Sequence, residues 1–105
     1  MIIRGGENIY STEIENVLYD HPAVTDCALI GLPHRILGEE PAAVVHLAPD
    51  THATEAELQA WVRARLAAFK VPVAIRFVPE TLPRNANGKI LKRDLKTLFE
   101  DRAAA

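Results

Sequence analysis

The chain has 105 residues, 49% of them hydrophobic and 25% charged, a profile that fits one globular domain and excludes a disordered tail. Twelve Lys and Arg against fourteen Asp and Glu leave a formal charge of -2, without the basic excess that draws proteins to nucleic acid. No apolar run approaches the roughly 20 residues of a membrane span. The single cysteine, Cys27, excludes an internal disulfide, and with no leader ahead of the first structured segment the expected localisation is cytoplasmic. A domain of about 100 residues forms one modest core and borrows any large ligand cleft from a neighbour.

Ile2-Ile3, then Gly5-Gly6, then Glu7 to Tyr10 predict a short strand, a bend and a second extended piece. Thr12 stands three residues before Glu15, a capping-box spacing that predicts a helix start. Ile14, Val17 and Leu18 give that helix an apolar face until His21-Pro22 stops it. Val24 to Leu32 is a short apolar run closed by Pro33, a buried strand by pattern. Ala42 to Leu47 is another, and the two are expected to pair antiparallel around a loop from His34 to Pro41. Thr54 and Glu57 repeat the capping spacing, and Leu58, Trp61, Val62, Leu66 and Phe69 predict an amphipathic helix over 54–68. Ile75 and Phe77 flank Arg76 in a third strand ended by Pro79 and Pro83. Arg84 to Lys89 is a polar turn. Leu91, Leu95, Leu98 and Phe99 mark a last helix, and Ala103 to Ala105 are expected to fray. The expected fold is α+β: a small sheet of about three strands with flanking helices, plus an N-terminal two-stranded hairpin.

Two segments invite a functional reading. In Arg4-Gly5-Gly6-Glu7-Asn8 the paired glycines either make a hairpin bend or let another molecule run close to the backbone. They are too few for a dinucleotide fingerprint, and no Walker-type run occurs. In Pro83 to Lys89, one lysine follows a glycine on a loop. It is either a solvated surface residue or a mobile cation whose three donors suit phosphate and carboxylate oxygens.

Both segments resemble the motifs of one family, the C-terminal domain of the adenylate-forming (AMP-binding) superfamily of acyl-CoA synthetases, luciferases and peptide-synthetase adenylation domains. Ile2 to Tyr10 with Glu13-Ile14-Glu15 resembles the motif that opens this domain after the hinge, and Leu82 to Ile90 resembles its closing motif. His21-Pro22-Ala23-Val24, Gly31-Leu32-Pro33-His34, Gly38-Glu39-Glu40-Pro41 and Phe69-Lys70-Val71-Pro72 follow the family's order, so the resemblance covers essentially the whole chain. Ser11 stands where many relatives place proline, and near Val71 and Val73, where relatives carry basic residues toward the CoA phosphates, only Lys70 and Arg76 are charged.

The resemblance implies the mobile C-terminal domain, residues 1–105, of an acid-thiol ligase that converts a carboxylic acid to an acyl-adenylate with ATP and Mg2+ and passes the acyl group to CoA. It implies that Lys89 is catalytic in adenylation and that Gly5, Gly6, Glu7 and Asn8 meet the adenylate and the pantetheine arm after a domain rotation. Phe69 and Lys70 are the accompanying nucleotide-contact candidates. The partners implied are a large N-terminal adenylation domain, the carboxylic acid, ATP and CoA, with no nucleic acid and no membrane span. The chain alone is expected to be inactive, with the hinge upstream of Met1. The alternative is a non-catalytic interaction module that docks a carrier protein. His21, His34, His46 and His52 lack a metal-ligand spacing, Cys27 reads as core, and Trp61 and Phe69 read as core, with Phe69 also able to offer an edge to adenine.

Overall fold

A computed structural model of the chain describes residues 2–4, 7–36, 38–82, 84, 86–88, 90 and 92–99. Two short strands, β1 (Ile2–Arg4) and β2 (Glu7–Ile9), form an antiparallel hairpin. Helix α1 (Ser11–Tyr19) follows, then the long strands β3 (Val24–His34) and β4 (Gly38–Leu47), helix α2 (Glu55–Arg63), a 3-10 turn at Ala68–Lys70 and strand β5 (Ala74–Phe77). A short helix α3 (Lys92–Leu95) runs into a second 3-10 turn, Lys96–Phe99. The expected α+β architecture is present: β3, β4 and β5 make a mixed three-stranded sheet, and the N-terminal hairpin joins it where Arg4 pairs with Gly38.

Both faces of the central sheet are covered, which is why β3 and β4 read as continuous apolar runs and do not alternate. On one face Cys27, Leu29, Ala43, Val45 and Ile75 pack against Ile14 and Leu18 of α1 and Leu58 and Val62 of α2. On the other, Ala28, Ile30, Val44 and Ala74 pack against Leu82, Leu95 and Phe99 of the C-terminal segment. The Trp61 indole N–H of α2 donates to Val17 O at 2.7 Å, tying the two helices of the first face together. Burial of the helix positions Ile14, Leu18, Leu58 and Val62 is complete, so the amphipathic faces read from the sequence are the ones that fold inward.

Three local expectations need correction. Helix α1 begins at Ser11, one residue before Thr12, and its N-cap Tyr10 makes no side-chain cap bond. Glu15, the other half of the expected capping box, is turned inward and accepts from Leu29 N–H at 2.8 Å. Helix α2 does have the cap, with Thr54 Oγ1 accepting from Glu57 N–H at 3.1 Å, but it ends at Arg63 and gives way to the 3-10 turn before Lys70. The segment from His34 to Pro41 is largely strand: β3 and β4 stay in register through Pro33 opposite Glu39 and His34 opposite Gly38. Pro33 is tolerated because β3 is an edge strand whose outward N–H groups have no sheet partner.

Those edges are closed by carboxylates. On β3, Cys27 N–H donates to Asp26 Oδ1 at 3.1 Å and Leu29 N–H to Glu15 Oε2. On β5, Ile75 N–H donates to Glu55 Oε2 at 2.7 Å. Backbone donors that would otherwise face solvent or a second chain are thereby satisfied from within the fold.

Candidate functional site

Asp26 is the one acidic residue in the apolar stretch from Val24 to Leu32 and is 2% exposed. An ionised carboxylate survives such burial only if donors replace its water. Oδ1 accepts from the Tyr19 hydroxyl at 2.8 Å, from Cys27 N–H, and from Arg84 Nη2 at 2.7 Å. Oδ2 accepts from Leu82 N–H and Arg84 Nη1, both at 2.9 Å. The guanidinium fork of Arg84 thus grips both oxygens, the strongest geometry available to a carboxylate. Burial alone would push the Asp26 carboxyl up, but the bonds from Arg84, Leu82 N–H and Tyr19 more than offset it and hold the group at about 2. The Tyr19 hydroxyl is pushed up to about 12, by burial and by its bond to Asp26, so it stays a donor.

Arg84 has two further attachments. Its Nη1 donates to Leu82 O at 3.1 Å, and its backbone forms an isolated antiparallel bridge with Ile90. Between these two bridge partners in the chain stands Gly88, whose φ of 81° lies in the left-handed region that glycine adopts without strain. Just past the loop, Lys92 Nζ meets Glu15 Oε2 at 3.0 Å. The loop is fastened on one side to β3 through Asp26 and on the other to α1 through Glu15. Between α1 and this segment lies an open cleft of about 650 Å³, lined by Thr12, Glu15 and Tyr19 on one side and by Arg84, Gly88 and Lys92 on the other.

Of the residues singled out from the sequence, Lys89, Gly5 and Gly6 lie outside the described residues. Glu7 and Asn8 belong to β2, paired with Arg4 and Ile3. Phe69 packs partly buried against the first core, and Lys70 Nζ pairs with Glu13 Oε1 in the first turn of α1. The Lys70 ammonium also lies 5.6 Å from the Phe69 ring centroid. Phe69 and Lys70 are thus attached at the end of α1 that β2 feeds.

The two candidate loops are attached at different places. The β1–β2 hairpin joins the sheet where Arg4 meets Gly38, beside the turn between β3 and β4. The loop that follows Arg84 is fastened to Asp26 near the start of β3, about 27 Å of strand from His34 at roughly 3.4 Å per residue. Asp26 and Tyr19 were not singled out from the sequence. The signal available was an acid inside an apolar run, which burial permits only with partners.

Cys27 is 1% exposed and its thiol is pushed up to about 12 by burial and by the charges of Glu15 and Asp26, which leaves it inert as a nucleophile. Among the described residues no group of three His, Cys, Asp or Glu converges in a way that could hold a metal ion, and no helix is long and apolar enough to cross a membrane.

Residues 13–89 match the family model of the AMP-binding enzyme C-terminal domain. The chain is 48% identical over 99 residues to a feruloyl-CoA synthase of Amycolatopsis and 47% identical over 99 residues to a 2-succinylbenzoate–CoA ligase of Geobacillus kaustophilus, in each case over 94% of this chain and 20% of the relative. It superimposes on a solved Mycobacterium tuberculosis fatty acyl CoA synthetase with a TM-score of 0.84 at 40% identity, covering 97% of this chain and 20% of that one. The chain therefore spans about a fifth of the length of the relatives it matches.

Proposed function

Because this chain belongs to the AMP-binding enzyme C-terminal domain family, we propose that residues 1–105 act as the mobile C-terminal domain of an ATP-dependent acyl-CoA ligase, working against a large N-terminal domain that binds the adenylate. In the first half-reaction a carboxylate oxygen attacks the α-phosphorus of ATP and pyrophosphate leaves, giving the acyl-adenylate. In the second, the CoA thiol attacks the acyl carbon, AMP leaves with the bonding pair, and the thiol proton goes to solvent. This chain's contribution to the first step is Lys89, a cation brought to two mutually repelling anions, which lowers the barrier by stabilising charge in the transition state.

The observation that carries the reading is the fastened loop. Arg84 and Ile90 bridge on either side of Lys89 in the chain, and Arg84 is held by a buried carboxylate. Gly5 to Asn8 take the second step in this reading, passing the pantetheine arm along backbone that has no Cβ at the glycines. Phe69 and Lys70 supply contacts to the nucleotide of CoA, Lys70 exchanging Glu13 for phosphate. The separate attachment of the two segments, one through Arg84 to Asp26 and the other through Arg4 to Gly38, supports a rotation that presents one and then the other. Mg2+, ATP and the acyl pocket are assigned mainly to the N-terminal domain.

The test is carboxylate-dependent pyrophosphate release by the full-length protein, by its Lys89→Ala variant, and by the 105-residue chain alone. The reading expects release by the first, a loss of at least about 100-fold in the second, and none from the third. An unimpaired Lys89→Ala protein moves the chain to a docking module for a carrier protein.

A further inference from the structure

The β3–β4 turn carries an apolar side chain that the fold does not use. Ile36 is 88% exposed, against 57% for Tyr10, the next most exposed large apolar residue among those described, and it belongs to neither core. Turn positions ordinarily take Gly, Asn, Asp or Ser, and burying an isoleucine is worth about 10- to 100-fold in an equilibrium constant. The side chain is presented by a built turn: Ile36 N–H donates to His34 Nδ1 at 3.1 Å, His34 pairs with Gly38 across the ladder, and Gly38 begins β4 at a φ of 89°.

The sheet order places this turn beside the N-terminal hairpin. Glu7 of β2 faces Arg4 of β1, Arg4 faces Gly38 of β4, and Gly38 faces His34 of β3, so these four residues make one row across the sheet. The row is about 14 Å wide at roughly 4.8 Å per strand spacing, well inside the footprint of one interface of about 800 Å² a side. Both the β1–β2 and the β3–β4 connections leave the sheet from it.

We infer that Ile36 is a docking anchor for the large N-terminal domain of the same protein, engaged in the orientation that forms the thioester. The inference rests on the function proposed above, which gives Glu7 and Asn8 to that step; a partner surface that covers β2 at this row also reaches the β3–β4 turn. One side chain is far too small to hold a separate protein. Within one chain the partner is already present at high effective concentration, so a single buried anchor biases which of two orientations is populated. The chain spans about a fifth of the length of its relatives, which leaves the larger body to receive the anchor.

The experiment compares full-length wild type, Ile36→Asn and Ile36→Leu in pyrophosphate release from ATP and in thioester formation from CoA and a preformed acyl-adenylate, using the acid that the wild type activates fastest. Ile36 touches neither core, and a thermal melt of each variant checks folding. The expected result is a fall of about 10-fold or more in thioester formation by Ile36→Asn, with pyrophosphate release within about twofold of wild type and Ile36→Leu restoring most of the loss. A photo-crosslinking phenylalanine derivative at position 36 is expected to join the N-terminal domain of its own chain when CoA and a sulfamoyl analogue of the adenylate are bound, and not with ATP alone. Thioester formation within twofold of wild type in Ile36→Asn overturns the anchor, as does an equal loss in both half-reactions or a Leu variant as impaired as the Asn variant. Crosslinks that are absent, that join two chains, or that form equally with ATP alone also overturn it. A wild type that forms no thioester overturns the underlying reading instead.

Discussion

Replacing Asp26 by Asn removes a charge from a buried site that five hydrogen bonds satisfy, and its cost follows from the donors around it. The folded carboxyl stands at about 2 against an ordinary 3.8, a difference that corresponds to roughly 2 kcal/mol favouring the ionised, folded form at neutral pH. An Asn amide also turns a donor toward donors: Leu82 N–H and Arg84 Nη1 face one oxygen, Tyr19 and Arg84 Nη2 the other. An unsatisfied buried pair adds about 1 kcal/mol, for a total of roughly 3 kcal/mol. Urea unfolding of the 105-residue chain, followed by far-UV circular dichroism, measures this directly. Asp26 has a lowered pKa when folded, so the unfolded chain binds the proton first as the pH falls. The wild-type advantage is therefore complete above 3.8 and is lost as the pH drops toward about 2. A gap under about 1 kcal/mol at neutral pH, or a gap that stays constant across the acid window, refutes the claim that these donors hold the carboxylate.

The Cys27 thiol, buried and at about 12, is expected to resist an aromatic disulfide reagent at about pH 8 in the folded chain and to react stoichiometrically once denatured; prompt labelling of native protein contradicts this. Thr54→Ala should cost about 1 kcal/mol by denaturant unfolding, since its hydroxyl caps Glu57 N–H. Thr12→Ala should cost under about 0.5 kcal/mol, because α1 begins before it without a side-chain cap, and equal costs for the two contradict the corrected helix start. Gly88→Ala should destabilise by about 1 kcal/mol through backbone strain at φ 81°, since an added Cβ meets no described atom within 4 Å. Gly88→Asn should recover part of that loss in the same assay, whereas a neutral Ala variant contradicts the left-handed turn.

The contrast between Thr12 and Thr54 shows what sequence can and cannot disclose. Both stand three residues before a glutamate, and a local pattern reads them alike. Glu57 leaves Thr54 to cap its helix, while Glu15 has Leu29 N–H and Lys92 within reach, partners supplied by tertiary structure that no window of a few residues contains. The apolar runs of β3 and β4, the inward faces of α1 and α2 and the parallel third strand's composition were legible because periodicity and burial are properties of adjacent residues. By pattern Pro33 closes the first long strand and Gly38 falls in the loop, yet a proline on an outward edge position and a glycine at the hairpin end allow pairing to continue. The loop bearing Lys89 was visible as a motif. Its fastening was not, because Asp26 and Arg84 lie far apart in sequence and meet only when the C-terminal segment folds over the second face of the sheet.

The carboxylates that close the edges of β3 and β5 have a consequence for the domain as a separable object. A sheet with bare rims grows by recruiting strands from other molecules. Here the rim is occupied by side chains that the domain carries with it. Among the described edge positions, Cys27, Leu29 and Ile75 therefore have no idle backbone N–H for a second copy to zip onto.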